Sequence, residues 1–239
     1  MSSRSKFVLL QKVLPSVHKS VTRNLGLRNY RDVVHHLWEL MTFDWRLGVS
    51  TSGVIPATEL EFEEDTAMAH AVRYRGSPSF SVRSGIATLE SRLESFADVT
   101  FVDYGCGAGR VMLIAAELGF RHVVGLELSP GLVSRCQANM DRYTARNRSV
   151  TRFEVLRRNA MEYFPDPSAR VFFFFHPFDQ EILNGVLSQI ESSIDAAPRQ
   201  VYVLTFQARD YDFSKTRFSK IGEEMAVEIY SNDHPERAT

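Results

Sequence analysis

Two residue types that define special architectures are nearly missing from this chain. Only Cys106 and Cys136 are cysteines among 239 residues, and no Cys/His cluster stands at metal-ligand spacing. A disulfide framework is therefore excluded, no metal site is expected, and reduced thiols in a cytoplasmic protein are the simplest interpretation. Long apolar runs are missing as well. Because a membrane helix needs ~20 apolar residues, no transmembrane segment is expected.

The chain also lacks an excess of positive or negative charge, since its formal net charge is −1. No global field favours nucleic acid, and we expect no nucleic-acid partner. The N-terminus departs from this balance, because seven Lys/Arg residues and no acid precede Asp32. Such a start fits an organellar transit peptide, or a solvated basic helix that docks on an acidic face or a membrane surface.

Strands and helices alternate from about residue 98 onward. The predicted strands are VTFVDY (99–104), HVVGLEL (122–128), VTRFEVLRRN (150–159), ARVFFFFHPF (169–178) and RQVYVLTF (199–206). Helices are predicted after the first, second and fourth of these strands. Two short strands follow, joined by a turn near Gly222 and Glu223. This order predicts βαβ units and a mostly parallel sheet. The uninterrupted apolar run VFFFF predicts a strand in the middle of the sheet.

Residues 1–97 have a different pattern and predict an N-terminal helical extension, leaving 98–239 as the α/β domain. Residues 30–41 and 79–96 fit helices with one apolar face, and residues 43–56, rich in Gly, Ser and Thr, predict a long loop. The segment 59–65 carries five acids in seven residues. We interpret it as a solvated face, or as a surface that attracts a cationic acceptor.

The stretch VDYGCGAGR (102–110) places three glycines between the first strand and the first helix of the α/β domain. Free N–H groups at a helix start, with glycine beside them, suit a ligand that approaches the main chain closely. The dinucleotide fingerprint is G-x-G-x-x-G, whereas this turn has G-x-G-x-G followed by Arg110. Asp103 would repel a pyrophosphate and attract an amino group. The local charge therefore favours S-adenosylmethionine over a nicotinamide dinucleotide.

Two later strand ends supply further candidate ligands. Glu127 ends the second strand, where a carboxylate can accept both hydroxyls of a ribose; a surface acid is the alternative. Asn159 and Ala160 follow the third strand, where a side chain and a backbone N–H could bind the adenine edge; a simple turn is the alternative.

The stretch FVDYGCGAGRVMLIAAELGFRHVVGLELSPGL resembles the cofactor-binding half of class I S-adenosylmethionine-dependent methyltransferases. The resemblance implies a Rossmann-like fold with a seven-stranded, mostly parallel sheet flanked by helices. It also implies that Asp103, Gly105 and Gly107 hold the methionine portion, that Glu127 holds the ribose, and that Asn159 with Ala160 holds the adenine. The neighbouring residues Cys106 and Leu128 complete the predicted cofactor site. The family more often has Asp at the position of Asn159.

FDWRLGVSTSG (43–53) also looks like a group of mostly uncharacterised bacterial methyltransferases. That likeness suggests that the loop Thr51–Gly53 folds over the cofactor; a plain connector is the alternative.

The acceptor end is predicted at His176-Pro177-Phe178, after the fourth strand. Many amino-methylating members of the family carry Asn or Asp, then Pro and an aromatic residue, at this place. His176 replaces the first of these, and a neutral imidazole can accept a hydrogen bond or remove a proton. A structural histidine that caps the strand is the alternative. We expect methyl transfer to a nitrogen or oxygen nucleophile of a small molecule or a protein side chain, or else a binding scaffold that no longer methylates.

Overall fold

A seven-stranded sheet organises the chain in the computed structural model, which describes Trp38 and residues 42–55, 74–175, 179–206 and 211–233. A two-stranded antiparallel ribbon comes first, formed by β1 (Val54–Ile55) and β2 (Tyr74–Arg75). The strands of the large sheet are β3 (Thr100–Tyr104), β4 (His122–Glu127), β5 (Arg152–Arg157), β6 (Ala169–Phe174), β7 (Tyr202–Phe206), β8 (Ser219–Glu224) and β9 (Val227–Ser231). The α-helices with defined bounds are α1 (Ser79–Ala87), α2 (Arg110–Glu117), α3 (Pro130–Asn147) and α4 (Gln180–Ala196).

The spatial order of the strands is β5-β4-β3-β6-β7-β9-β8. The first five are parallel to one another, and β9 is antiparallel to both β7 and β8. The chain builds outward from β3 to β5 and then returns to β6 on the other side of β3. This reversal creates a crevice at the carboxyl ends of β3 and β6, where open α/β sheets bind ligands. The predicted Rossmann-like fold is confirmed.

Side chains on the two faces of the sheet form separate cores. Phe101 and Phe173 point toward α1, α2 and α3, whereas Val102 and Phe172 point toward α4. The predicted central place of VFFFF is confirmed, because β6 is the fourth of seven strands and Val171–Phe174 is buried.

Residues before position 98 belong to the same core as the sheet. Residues 42–47 are helical where a loop was predicted, because Phe43 and Leu47, one turn apart, are both buried against the sheet layer. α1 ends at Ala87 rather than at residue 96. Beyond it, the hydroxyl groups of Thr88 and Ser91 bind carbonyl groups three residues earlier, which favours short 3₁₀ turns over a continued helix. The boundary at residue 97 stays a prediction.

The last hairpin turns at Met225 and Ala226, not at Gly222 and Glu223 as predicted. Both residues have positive φ, +50° and +63°, as the twist of a two-residue hairpin requires. Gly222 lies instead at a register shift within β8.

Several sequence predictions fall outside the described residues. These are the acidic segment 59–65, the basic N-terminus and most of the helix predicted over 30–41. Among the helices that the structure describes, none is both long and apolar enough to cross a membrane.

Candidate cofactor site

The glycine turn lies at the crevice between β3 and α2. Gly105, Gly107 and Gly109 have φ values of +73°, +54° and +86°, which residues with a Cβ rarely adopt. The N–H groups of Gly105 and Cys106 both donate to Leu126 O over 2.9 Å, which fixes the turn against β4. The sequence therefore needs glycine here to bring the main chain close to the crevice.

Asp103 is a buried carboxylate that lacks a partner. Its side chain is 2% exposed, and among the described residues Oδ2 receives no hydrogen bond. Burial, and then the charge of Glu127, raise the pKa of Asp103 well above its ordinary value. A buried, unpaired acid is costly unless a ligand compensates it. The cationic amino group of S-adenosylmethionine has the complementary charge, so the residue fits this cofactor.

Glu127 joins the ends of β3 and β4. One carboxylate oxygen accepts the N–H of Gly107 at 3.0 Å, and the other accepts those of Leu128 at 2.8 Å and Ser129 at 3.0 Å. Burial raises the pKa of Glu127 despite these three backbone bonds. The acid is thus part of the crevice rather than a solvated strand end. Its contact with a ribose stays a prediction.

The predicted adenine ligands begin a short 3₁₀ helix, Ala160–Glu162. Asn159 caps this helix, since its side-chain oxygen accepts the N–H of Met161 at 3.1 Å. A carbonyl oxygen has two lone pairs, so this oxygen retains one for an amino group. Leu128 and Met161 each leave about a third of their surface exposed. Adenine binding by Asn159 and Ala160 stays a prediction.

Cys106 points into the protein rather than into the crevice. Its Sγ lies 3.9 Å from Cys136 Sγ within the core beneath the turn. A hydrogen bond with Cys136, together with burial, raises the pKa of the Cys106 thiol well above its ordinary value. Any contact of this residue with a cofactor would therefore involve its main chain.

Arg110 is a functional candidate that the sequence analysis missed. It begins α2, is 3% exposed, and donates from Nε to Thr51 Oγ1 over 2.8 Å and from Nη2 to Ser52 Oγ over 2.6 Å. Nη1 donates to Ser77 O at 3.2 Å, and Nη2 lies 3.5 Å from Asp44 Oδ1. The place of this arginine directly after the glycine motif was the one signal in the sequence. Its role could not be predicted from that signal, because its partners lie up to 66 residues away in the sequence.

Asp44 completes this cluster from the helical segment 42–47. Its Oδ2 accepts the N–H groups of Thr51 at 2.9 Å and Ser52 at 2.8 Å. Burial alone would raise the pKa of Asp44, but the hydrogen bonds from Thr51 and Ser52 and the charge of Arg110 outweigh it and lower the pKa. We call Asp44, Thr51, Ser52, Ser77 and Arg110 the Arg110 cluster.

Asn139 connects the same segment to the glycine turn from the side of α3. Its amide nitrogen donates to Ser50 O at 3.0 Å and to Ala108 O at 2.9 Å, and its oxygen accepts Ser50 N–H at 2.9 Å. Thr51 is consequently buried beside the turn, whereas Ser52 and Gly53 are exposed. The loop Thr51–Gly53 lies next to the candidate site, and its closure over a cofactor stays a prediction.

The acceptor end is described only in part, because His176, Pro177 and Phe178 lie outside the described residues. Tyr104 stacks on Phe174 with 4.9 Å between ring centroids, and Thr205 is paired with Phe174 on the other side. The hydroxyl groups of Tyr104 and Thr205 are buried without a hydrogen-bond partner among the described residues. The end of β6 is thus flanked by an aromatic ring and two hydroxyl groups.

Comparison with known proteins finds a family match over the segment from β3 to α4. Residues 101–195 match the protein family described as "Methyltransferase domain". The chain is similar to ribosomal protein L11 methyltransferase of Hydrogenovibrio crunogenus, with 44% identity over 48 residues that cover 20% of this chain and 16% of that protein. The protein of the same name from Clostridium perfringens strain SM101 is 36% identical over 66 residues, which cover 28% of this chain and 20% of that protein.

The chain therefore spans no more than a fifth of the length of these two curated relatives. Among solved structures, a Haemophilus influenzae protein described as a methylase has a TM-score of 0.49 and 15% identity. That comparison covers 63% of this chain and 88% of the other.

Proposed function

Because residues 101–195 form a methyltransferase domain of the class I, S-adenosylmethionine-dependent type, we propose that the chain transfers a methyl group to a nitrogen or oxygen nucleophile. The observation that carries the proposal is Asp103, a buried carboxylate with an unpartnered oxygen at the carboxyl end of β3. Such an acid is explained by a cationic ligand, and S-adenosylmethionine is the cofactor that the family implies.

Most of the predicted cofactor residues have a specific role in this proposal. Asp103 would bind the amino group of the methionine portion, the glycine turn would admit it close to the main chain, and Glu127 would accept the ribose hydroxyls. Asn159 and Ala160 would bind the adenine edge. When bound, the sulfonium supplies an electrophilic methyl group with a good leaving group. The protein's main task is then to position the acceptor in line with that methyl.

The acceptor is a small molecule or a protein side chain in this proposal. His176 would orient the acceptor or remove its proton. The stacked and fully buried Tyr104 and Phe174 would support the acceptor pocket from beneath. The curated relatives are named for a ribosomal protein as acceptor, which supports a protein side chain here.

A scaffold that binds S-adenosylmethionine without methylating is the second candidate. Two residues favour this scaffold, Asn159 and His176, since both differ from the residues that the family more often has at these positions. The candidates differ in turnover and not in binding.

Calorimetric titration with S-adenosylmethionine, with NADH as the control ligand, tests the cofactor. We expect micromolar binding of the first and none of the second. Labelled methyl transfer to cell extract then tests turnover. Binding with transfer supports the enzyme, and binding without transfer to any fraction supports the scaffold. Failure to bind S-adenosylmethionine contradicts both candidates.

A further inference from the structure

Exposed arginines concentrate on one surface of the protein. Residues 111–175 contain nine arginines and no lysine, although the whole chain has a net charge of −1. Six of them follow α3 and the adjoining ends of β4 and β5: the exposed Arg121, Arg142, Arg146, Arg148 and Arg152, and the half-buried Arg135. We call this set the arginine stripe. An overall charge near zero thus conceals a basic surface, because it averages over opposite faces.

Contacts along α3 define the direction of the stripe. Residues 135, 139, 142 and 146 share one helix face by their spacing. Arg135 donates to Ser50 O at 2.8 Å and to Ser52 O at 2.7 Å. At the other end, a Cβ added at Gly48 would lie 2.7 Å from Arg146 Nη1, so that guanidinium packs directly against the glycine. The stripe therefore follows residues 48–52 for about 16 Å along the helix.

Much of this positive charge is not neutralised. Among the described residues, no carboxylate forms an ion pair with Arg142, Arg146 or Arg148, and all three are exposed. Arg152 does pair with Glu154, at 2.7 Å. An array of exposed guanidinium groups suits phosphate, because each can donate two parallel hydrogen bonds to its oxygens.

Exposed tryptophans lie beside the stripe. The chain has two tryptophans, and Trp38 and Trp45 are 60% and 79% exposed. Thr42 Oγ1 donates to Trp38 O at 2.7 Å, which is a helical i to i−4 contact. We call these two exposed residues the tryptophan pair. Trp45 lies three residues before Gly48, where Arg146 packs.

We propose that the arginine stripe and the tryptophan pair together bind single-stranded nucleic acid. Phosphates bind the guanidinium groups, and unstacked bases stack on the indole rings. An acidic protein fits less well, because the cores of protein interfaces are depleted of charge, whereas cations dominate this surface. A membrane fits less well because, among the described residues, the tryptophan pair and Val150 are the only large exposed apolar side chains at this surface, too few for the apolar face of a membrane-binding helix. The proposal is independent of methyl transfer, since it uses residues outside the cofactor crevice.

The test uses the full chain and a fluorescein-labelled 15-nucleotide oligoadenylate, as RNA and as DNA, with fluorescence anisotropy as the readout. The double variant R142Q/R148Q removes two stripe charges. Its matched control, R92Q/K215Q, removes two exposed charges beyond the other end of the sheet, so both proteins have the same net charge. Thermal unfolding of each variant, expected close to that of the unaltered protein, verifies folding.

We expect R142Q/R148Q to weaken binding about tenfold and to reduce the salt slope by about 1.4, from ~0.7 per lost phosphate contact. The control should change affinity by less than about twofold, since long-range charge is screened. Binding should also quench tryptophan fluorescence. W45A should weaken binding about tenfold, and W45F should restore most of it, because a phenyl ring still stacks.

Binding of either RNA or DNA with these effects supports the proposal, since the phosphate and base chemistry is shared. Several outcomes overturn it: no binding, equal losses in R142Q/R148Q and R92Q/K215Q, or a W45A variant that binds like the unaltered protein. Equal affinity for polyglutamate of the same charge, or for the corresponding duplex, also overturns it.

Discussion

Gly107 donates its backbone N–H to the carboxylate of Glu127 over 3.0 Å, and this bond connects the glycine turn to the end of β4. Glu127 holds its own strand end as well, through the N–H groups of Leu128 and Ser129. The same charge is a cause of the raised pKa of Asp103. The crevice is therefore an electrostatic unit in which one acid is bound by the backbone and its neighbour lacks a partner.

We predict that the affinity for S-adenosylmethionine increases with pH through the raised pKa of Asp103. Below that pKa the folded protein holds a proton on Asp103, which the cationic ligand must displace, so affinity should change by up to about tenfold per pH unit. Calorimetry in buffers of different ionisation enthalpy measures the released proton. D103N should lose this pH dependence and at least about 100-fold in affinity, as for a buried charge pair. A D103N variant with an unchanged profile would contradict the assignment.

The raised pKa of Asp103 also predicts that the stability of the protein depends on pH. Because the pKa of Asp103 is higher in the folded protein than in the unfolded chain, the folded state binds more protons between the two values. The contribution of Asp103 to stability therefore falls as pH rises through that window. D103N removes the cost of the buried charge, so its melting temperature should exceed that of the unaltered protein at pH 8. The two melting temperatures should converge at acidic pH, and a lower value for D103N at pH 8 would refute the argument.

The sheet was predictable because the strands and helices of the α/β domain have local sequence signals, such as apolar runs and helix-capping residues. VFFFF predicts a strand covered on both faces, and Ser129 with Pro130 predicts the start of α3, where Ser129 Oγ accepts Leu132 N–H. The final turn was not predictable from Met225-Ala226, since neither residue is typical of positive φ. Helix 42–47 was missed because its stability comes from burying Phe43 and Leu47 against distant elements.

The candidate site likewise contains residues that the sequence predicts and residues that it does not. Asp103, the glycines and Glu127 belong to short motifs with a local spacing, and the structure brings them together in the crevice. Arg110 makes its contacts within the cluster across 33 to 66 residues of sequence, and no local pattern encodes such pairings. The missing partner of Asp103 is likewise a property of three-dimensional burial.

Arg110→Ala should destabilise the protein by about 3–5 kcal/mol, because it leaves buried polar partners without their cation. Urea denaturation measures the loss. Hydrogen exchange should show the largest loss of protection at Thr51 and Ser52, whose N–H groups bind Asp44. The control is Arg83→Ala, which removes a partly exposed pair with Glu117 and should cost within about 1 kcal/mol. Equal losses in the two variants would count against a special role for the cluster.

His176→Asn should separate orientation from proton removal. Asparagine still accepts a hydrogen bond but is no general base, so kcat should fall about 100-fold if His176 removes a proton. The affinity for S-adenosylmethionine should stay unchanged in calorimetry. His122→Asn is the matched control, because His122 lies at the opposite end of β4 and pairs with Glu154 at 2.8 Å. A His176→Asn variant with full turnover would leave only an orienting or structural role.

Gly109→Ala tests why the turn requires glycine at its last position. A Cβ there would lie 2.5 Å from Met140 Cε and 2.7 Å from Cys136 Sγ, at a φ of +86°. Overpacking and backbone strain together should cost about 2–4 kcal/mol, measured by chemical denaturation. Gly119→Ala is the control, since its φ is +105° and a Cβ there would meet nothing within 4 Å. The control has backbone strain alone, so a similar loss in both variants would show that the contact with α3 contributes nothing. A larger loss in Gly109→Ala, with weaker cofactor binding in the folded fraction, would show that close packing of the turn on α3 shapes the crevice.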